Sequence, residues 1–213
     1  MKEEEKIFAG KMFDPRKKEL KDLKHMAHTA CQQYNAMDEY DPERLPIIKE
    51  FIGSIGKTYY FQGPVQFNYG CHTFIGENFT ANFNLMVMDD ARIYIGNNVG
   101  FGPNVSLMAT SHPLIARERI CIDENGNTTN AEYGREIHIG NNVWIASNVV
   151  VLGGVHIGNN VVIGAGSVVT KDIPDNYLAF GDPCKPVRPI TESDSKKDLV
   201  LAEDVEHFRF NVL

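Results

Sequence analysis

The sequence predicts a mostly β fold: a parallel β-helix of hexapeptide repeats, preceded by a helical cap and interrupted by one long loop. Three observations predict it. Between Ile139 and Pro174 the chain divides into blocks of six, IGNNVW, IASNVV, VLGGVH, IGNNVV, IGAGSV and VTKDIP. Each opens with an aliphatic residue: Ile139, Ile145, Val151, Ile157, Ile163 and Val169. A helix repeats every 3.6 residues and a half-buried strand every two, so neither gives a strict six, whereas parallel β-helices do. The same sixes recur, less regularly, from Phe61 onward. The residues before them follow a helical pattern instead.

The elements follow in chain order. Asp14-Pro15 reads as a helix start, a capping Asp followed by Pro at the first helical position. Leu20, Leu23, Ala27, Ala30, Cys31 and Tyr34 then recur at spacings of three and four and predict one apolar stripe. Asp41-Pro42 opens a second short helix with Leu45, Ile48, Phe51 and Ile52 as its stripe, ending at Gly53. Residues 1–56 are therefore a helical cap over the β domain of residues 57–190. Three sixes make a coil, and coils fall at about 57–74, 75–94, 95–112, 139–156 and 157–174, with two-residue slips before Ile75 and Ile95. Gly-Asn and Asn-Asn pairs suit the corners, because both residue types tolerate positive φ. The period fails over 113–138 and resumes in register at Ile139, so this stretch is an excursion from one corner whose ends lie together. Long loops in repeat arrays often carry function. A proline-rich stretch over 171–190 ends the prism, and 191–213 is a tail that packs on this chain or a neighbour.

The net charge of −7 argues against a non-specific nucleic-acid binder, which needs a basic face. No apolar run approaches a membrane span. The acidic start MKEEEKIFAG lacks the apolar core of a signal peptide, which makes the cytoplasm the expected compartment. Cys31, Cys71, Cys121 and Cys184 are scattered without a C-x-x-C pair and read as free thiols.

In each block the first and fifth residues face inward and the sixth faces out. His72, His112 and His156 hold sixth positions and His138 precedes a first position, so all four point outward. His138 and His156 lie one coil apart, as stacked metal ligands or exposed turn histidines, and nothing nearby completes a tetrahedral site. His112, in ATSHP at the mouth of the excursion, is a general base or a plain surface histidine. Asn82, Asn84, Asp89 and Asp90 are corner residues or a pocket that binds hydroxyls. Trp144, facing outward, marks an interface or a ligand wall. Lys171, Lys185 and Arg188 gather at the last coil as a phosphate-binding cluster or a solvated surface.

The segments FNYG (67–70), ANFNLMVMDD (81–90), TSHP (110–113), IGNNVWIAS (139–147), GAGSVVTKDIP (164–174) and GDPCK (181–185) resemble the maltose and galactoside O-acetyltransferase group of hexapeptide-repeat acyltransferases. AGKMFD near the start and QYN at 33–35 fit as well, and the ANFN…DD pattern is more like the galactoside branch. The resemblance implies a left-handed parallel β-helix and a homotrimer with active sites between copies. It implies acetyl-CoA as donor and a sugar hydroxyl, typically at C6, as acceptor, with no metal required. His112 would be the general base, and a backbone amide near Ser147 would meet the oxyanion. Asn68, Asn82 and Asp90 match acceptor positions, Asn82 lying also near the acyl group, and Asp14 falls near an acidic acceptor position with its spacing off by a residue or more. Trp144, Ser147, Ala165, Thr170, Lys171, Lys185 and Arg188 match CoA positions. Lys185 stands where the family commonly has Arg, which keeps the charge and loses the planar fork. The excursion is longer than in close relatives, which bears on acceptor choice. Rival readings are another hydroxyl acceptor, a γ-type carbonic anhydrase on the same prism, and a non-catalytic trimeric scaffold.

Overall fold

A computed structural model of the chain describes residues 1–122 and 125–200. Three parallel sheets wrap around one axis as the faces of a prism. The first face stacks Ser54–Ile55, Thr73–Ile75, Ile93–Ile95, Ile137–Ile139 and His156–Ile157. The second stacks Tyr59–Phe61, Phe79–Ala81, Gly100–Phe101, Trp144–Ile145, Val162–Ile163 and Tyr177–Gly181, and Cys184–Pro189 closes it antiparallel. The third stacks Val65–Phe67, Leu85–Met88, Ser106–Met108, Val150–Leu152 and Val168–Val169. The prism begins slightly earlier than the sixes suggest, because Ser54 and Ile55 pair with Phe74 and Ile75.

The offset between stacked residues measures each coil. It is 20 residues at the cap end, as in Thr73 against Ile93, and 18 for His138 against His156. Aromatic side chains fill the wider coils: Phe61, Phe67, Phe79 and Phe101 are buried, with Phe79 against Phe101 edge-on at 5.1 Å. Val and Ile fill the narrower ones, and Ile145, Val149, Val151 and Ile163 are fully buried. Each such side chain contributes roughly 1.5–3 kcal/mol by leaving water.

Asparagine holds the corners. Asn78, Asn98, Asn142, Asn160 and Asn176 all have positive φ, and each amide nitrogen donates to the next side-chain oxygen at 2.8–2.9 Å. Asn84, Asn104 and Asn148 repeat the device at a second corner. Asn84 is thus a corner residue.

The cap has three helices: α1 (Glu3–Phe8), α2 (Lys18–Ala36) and α3 (Pro46–Phe51). Leu20, Ala27, Cys31 and Tyr34 bury the expected stripe of α2. Asp14 does not cap it. Its Oδ1 accepts the Arg16 N–H at 3.0 Å in a local turn, and α2 starts four residues later. The reason is tertiary: Phe13 bridges Glu132 of the excursion and holds this segment extended. Helix α1 was not expected, and it overturns the placing of His72. The ring is 1% exposed, lying between Tyr69 and Phe8 with centroids 4.8 and 4.9 Å away. The other three histidines lie at the surface as expected.

The excursion leaves and returns as the antiparallel pair Thr110–Ser111 and Tyr133–Gly134. Between them lie a short helix, α4 (Ala116–Arg119), and the hairpin Ile120–Ile122 with Thr128–Asn130. Of the 191–213 tail, residues 201–213 lie outside the described residues. No helix among the described residues is long and apolar enough to cross a membrane.

Candidate active site

One corner of the prism, between the third and first faces, carries every irregularity of the repeat. Both two-residue slips fall there, at 68–72 and 89–92, and the excursion leaves from the same corner one coil later. The extra residues release side chains from the ladders and turn them toward one another. Asn68 Nδ2 donates to Asp90 Oδ1 at 2.9 Å. The Tyr69 amide and the Thr73 hydroxyl donate to the two oxygens of Asp89 at 2.8 and 3.0 Å. Asp89 and Asp90 are both fully buried, and Asp90 Oδ2 has no hydrogen-bond partner among the described residues. Burial pushes both carboxyls above the ordinary carboxylate range, and at Asp90 the Lys24 ammonium and the Asn68 amide oppose the shift.

His112 stands at the entry of the excursion. Its Nδ1 lies 3.0 Å from the Ala131 carbonyl oxygen. A carbonyl only accepts, so Nδ1 donates, and in the neutral ring the lone pair lies on Nε2. A carboxylate oxygen of Glu132 is 4.0 Å from Nε2, beyond hydrogen-bonding distance. Glu132 is buried enough for desolvation to raise its carboxyl. Asp90 and Asp14 raise it further, while Lys24 and His112 lower it. These groups therefore sit within electrostatic reach of one another. Asp14, Asp90 and His112 all act on the Glu132 carboxyl, and Asn68 joins them through its bond to Asp90. Gly134 is needed on the return strand, because any side chain there would collide with the Asp90 backbone. A cavity of about 260 Å³ opens beside Asn68, between α2 and the third face, lined also by His28, Gln32, Gln66 and Met88.

The remaining candidates lie elsewhere. The corner between the second and third faces stacks Asn82, Gly102, Ala146 and Gly164, and next to them Phe83, Pro103, Ser147 and Ala165. Asn82 is exposed and its side chain accepts the Phe83 amide at 2.8 Å. The Ser147 N–H makes no backbone hydrogen bond among the described residues, and a Cβ on Gly102 would come within 2.8 Å of its nitrogen. Trp144 projects from the second face, 56% exposed, beside Gly100. Thr170, Lys171 and Lys185 are exposed at the far end. Arg188 is engaged: its guanidinium forks onto Asp194 at 2.6 and 2.8 Å, holding that carboxyl down to about 2. Within one chain the histidine group and this corner are separate clusters. His138 and His156 stack at 4.5 Å in a ladder with Tyr94 and Phe74 on the first face.

Two family models match: the maltose acetyltransferase hexapeptide capping motif over residues 6–56 and the bacterial transferase hexapeptide (six repeats) over 136–171. The galactoside O-acetyltransferase of Escherichia coli (strain K12) is 43% identical over 191 residues, covering 89% of this chain and 90% of that protein. The chain belongs to the galactoside and maltose O-acetyltransferase group. Solved structures agree. A galactoside acetyltransferase in complex with coenzyme A superposes with a TM-score of 0.83 at 42% identity, covering 91% of this chain and 94% of that one. A maltose O-acetyltransferase from Clostridium difficile 630 also gives 0.83, at 38% identity, covering 90% and 99%.

In this acetyltransferase two residues of the candidate site escaped sequence reasoning. Glu132 lay inside the aperiodic excursion, where no pattern marks one acid among several. Lys24 looked like any charged residue of an amphipathic helix, yet its ammonium lies 5.2 Å from the centroid of the buried Tyr69 ring and acts on Asp90 and Glu132. One signal was available: the two slips in the period mark the corner where all of these residues meet.

Proposed function

We propose that this acetyltransferase moves the acetyl group of acetyl-CoA to a sugar hydroxyl, the 6-OH of a galactoside, with His112 as general base. The observation that carries the reading is the Nδ1 contact of His112 with the Ala131 carbonyl. In the neutral ring it leaves Nε2 as the nitrogen that can accept a proton. In the reaction, Nε2 takes the proton of the hydroxyl while the oxygen attacks the thioester carbonyl. The tetrahedral oxyanion is met by the Ser147 N–H, which has no competing backbone partner among the described residues. Collapse breaks the C–S bond, and the imidazolium returns the proton to the departing thiolate. Asp14, Asn68 and Asp90, with Lys24 and Glu132, bind and orient the acceptor. Asn82 lies near the acyl group. Trp144, Ser147, Ala165, Thr170, Lys171, Lys185 and Arg188 form the CoA track.

The same reading makes the active unit a homotrimer. The base cluster and the CoA corner are separate on one chain, and a neighbour related by three-fold symmetry would bring one copy's base to another's corner. Partly exposed Met86, Met88, Met108 and Leu152 on the third face supply an apolar surface for it. The cytoplasm, which holds acetyl-CoA and keeps four thiols reduced, fits as its compartment. The test is an acceptor panel of galactosides, glucosides and maltose, read by release of free CoA thiol. Galactosides are expected to be fastest, and His112→Ala to be slower by about 10²–10⁴-fold. Undiminished transfer by that variant would remove His112 from the mechanism.

A further inference from the structure

On the far side of the same corner, α1 covers a second cluster that the transfer reaction does not use. We propose that Glu4, Cys71 and His72 bind one borderline-soft divalent cation of the zinc class, which pins α1 to the prism. One donor atom from each of the three residues lies within 4.8 Å of the others, and no other such trio occurs among the described residues. His72 Nε2 and Glu4 Oε1 are 3.2 Å apart. Nitrogen and oxygen ligands about 2.0–2.2 Å from a tetrahedral zinc are separated by about 3.3 Å, so these two already stand at a ligand-to-ligand distance.

The orientation of His72 is the second, independent observation. Its Nδ1 lies 2.9 Å from the Asp89 carbonyl oxygen, which only accepts, so the ring proton is held there. Its Nε2 faces the Glu4 carboxylate, a position that a second ring proton or a metal cation can fill. A cation there also takes Cys71 as a ligand, in a site where the histidine is sealed from water. Fixing the far nitrogen on a backbone carbonyl is also how metal-binding imidazoles are commonly oriented. The donor set of thiolate, imidazole and carboxylate suits zinc and is poor for magnesium or calcium, which take oxygen ligands. Three protein ligands leave a fourth position for water, and Glu4, 39% exposed, gives a path of entry. Binding releases the Cys71 proton to solvent. It ties the N-terminal helix to the turn that carries Asn68 and Tyr69, and so braces the acceptor side of the site without entering the chemistry.

The experiment uses the full chain, stripped of metal with a chelator, kept reduced with a phosphine and titrated with Co²⁺. The expected result is saturation at about one Co²⁺ per chain, with a thiolate-to-cobalt charge-transfer band in the near ultraviolet that Zn²⁺ abolishes. Cys71→Ser should remove the band, and Cys121→Ser, at the other partly exposed thiol, should keep it. Glu4→Gln sits on a surface helix and leaves the prism intact. It should weaken Co²⁺ binding by about tenfold or more. Absence of a saturable band, its survival in Cys71→Ser, or unchanged affinity in Glu4→Gln would overturn the site.

Discussion

Asp90 concentrates the tension of the candidate site in one side chain. It is fully buried, accepts from Asn68 with one oxygen, and has no hydrogen-bond partner for the other among the described residues. Its carboxyl is raised by burial, so its folded pKa lies above the unfolded value of about 3.9. The protonated form is thus the one the fold favours. The resulting stability is present below about pH 4 and is lost as pH rises through the folded pKa. Replacing Asp90 by Asn removes that titration and keeps the size of the side chain. Urea midpoints measured from pH 4 to pH 8 should fall less steeply with pH in Asp90→Asn than in the parent chain; equal slopes would refute this account. At this scale sequence reading worked unevenly. The surface position of His112 was legible because its place, at the last residue before the period stops, is itself a geometric statement. His72 was misplaced because the outward rule for sixth positions holds only where nothing covers the prism, and α1 covers it.

At the scale of elements, the coils were legible and the coverings were not. Hydrophobic period is a property of the sequence, so the strands around Ile145 or Val151 could be assigned from it. Helix α1, EEEKIF, has six residues. Too short to be stable alone, it exists because Ile7 joins Phe13, Leu20 and Tyr69 in a small core of its own. The hairpin in the excursion is equally local in sequence yet was invisible, because it follows no hexapeptide rule. The corners allow a sharp test. Asn142 has φ 56° and sits mid-ladder, accepting from Asn98 and donating to Asn160. Asn142→Ala should destabilise the protein by about 1–2 kcal/mol more than Asn142→Gly, since both lose the ladder bonds and only alanine resists the left-handed conformation. Chemical denaturation of the two variants side by side measures the difference, and equal losses would mean that backbone strain is not what the corner selects against.

For the whole molecule, the trimer proposed above predicts complementation. His112→Ala spoils the base side of a site, and Ala165→Arg obstructs the CoA track. Each variant alone should be nearly inactive. Unfolded together, refolded and assayed, they should regain activity, with about one intact site in each mixed trimer. If base and CoA track belonged to the same copy, mixing would restore nothing. The sequence could carry the fold because a solenoid is nearly one-dimensional and each coil answers to its neighbours. It could not carry the site in full, because Lys24, Asp90 and Glu132 meet only after three distant segments fold onto one corner. The asparagine ladder has a consequence for the adaptability of this enzyme. From Asn98 to Asn142 it crosses 44 positions with the same 2.9 Å bond that elsewhere crosses 18. The ladder at one corner therefore keeps no record of how much chain hangs from the neighbouring one. Doubling the insertion would add only about 0.6 kcal/mol of closure entropy. Foldability and loop sequence are separate variables here, and the loop that presents Glu132 can be rewritten while the scaffold beneath it stays unchanged.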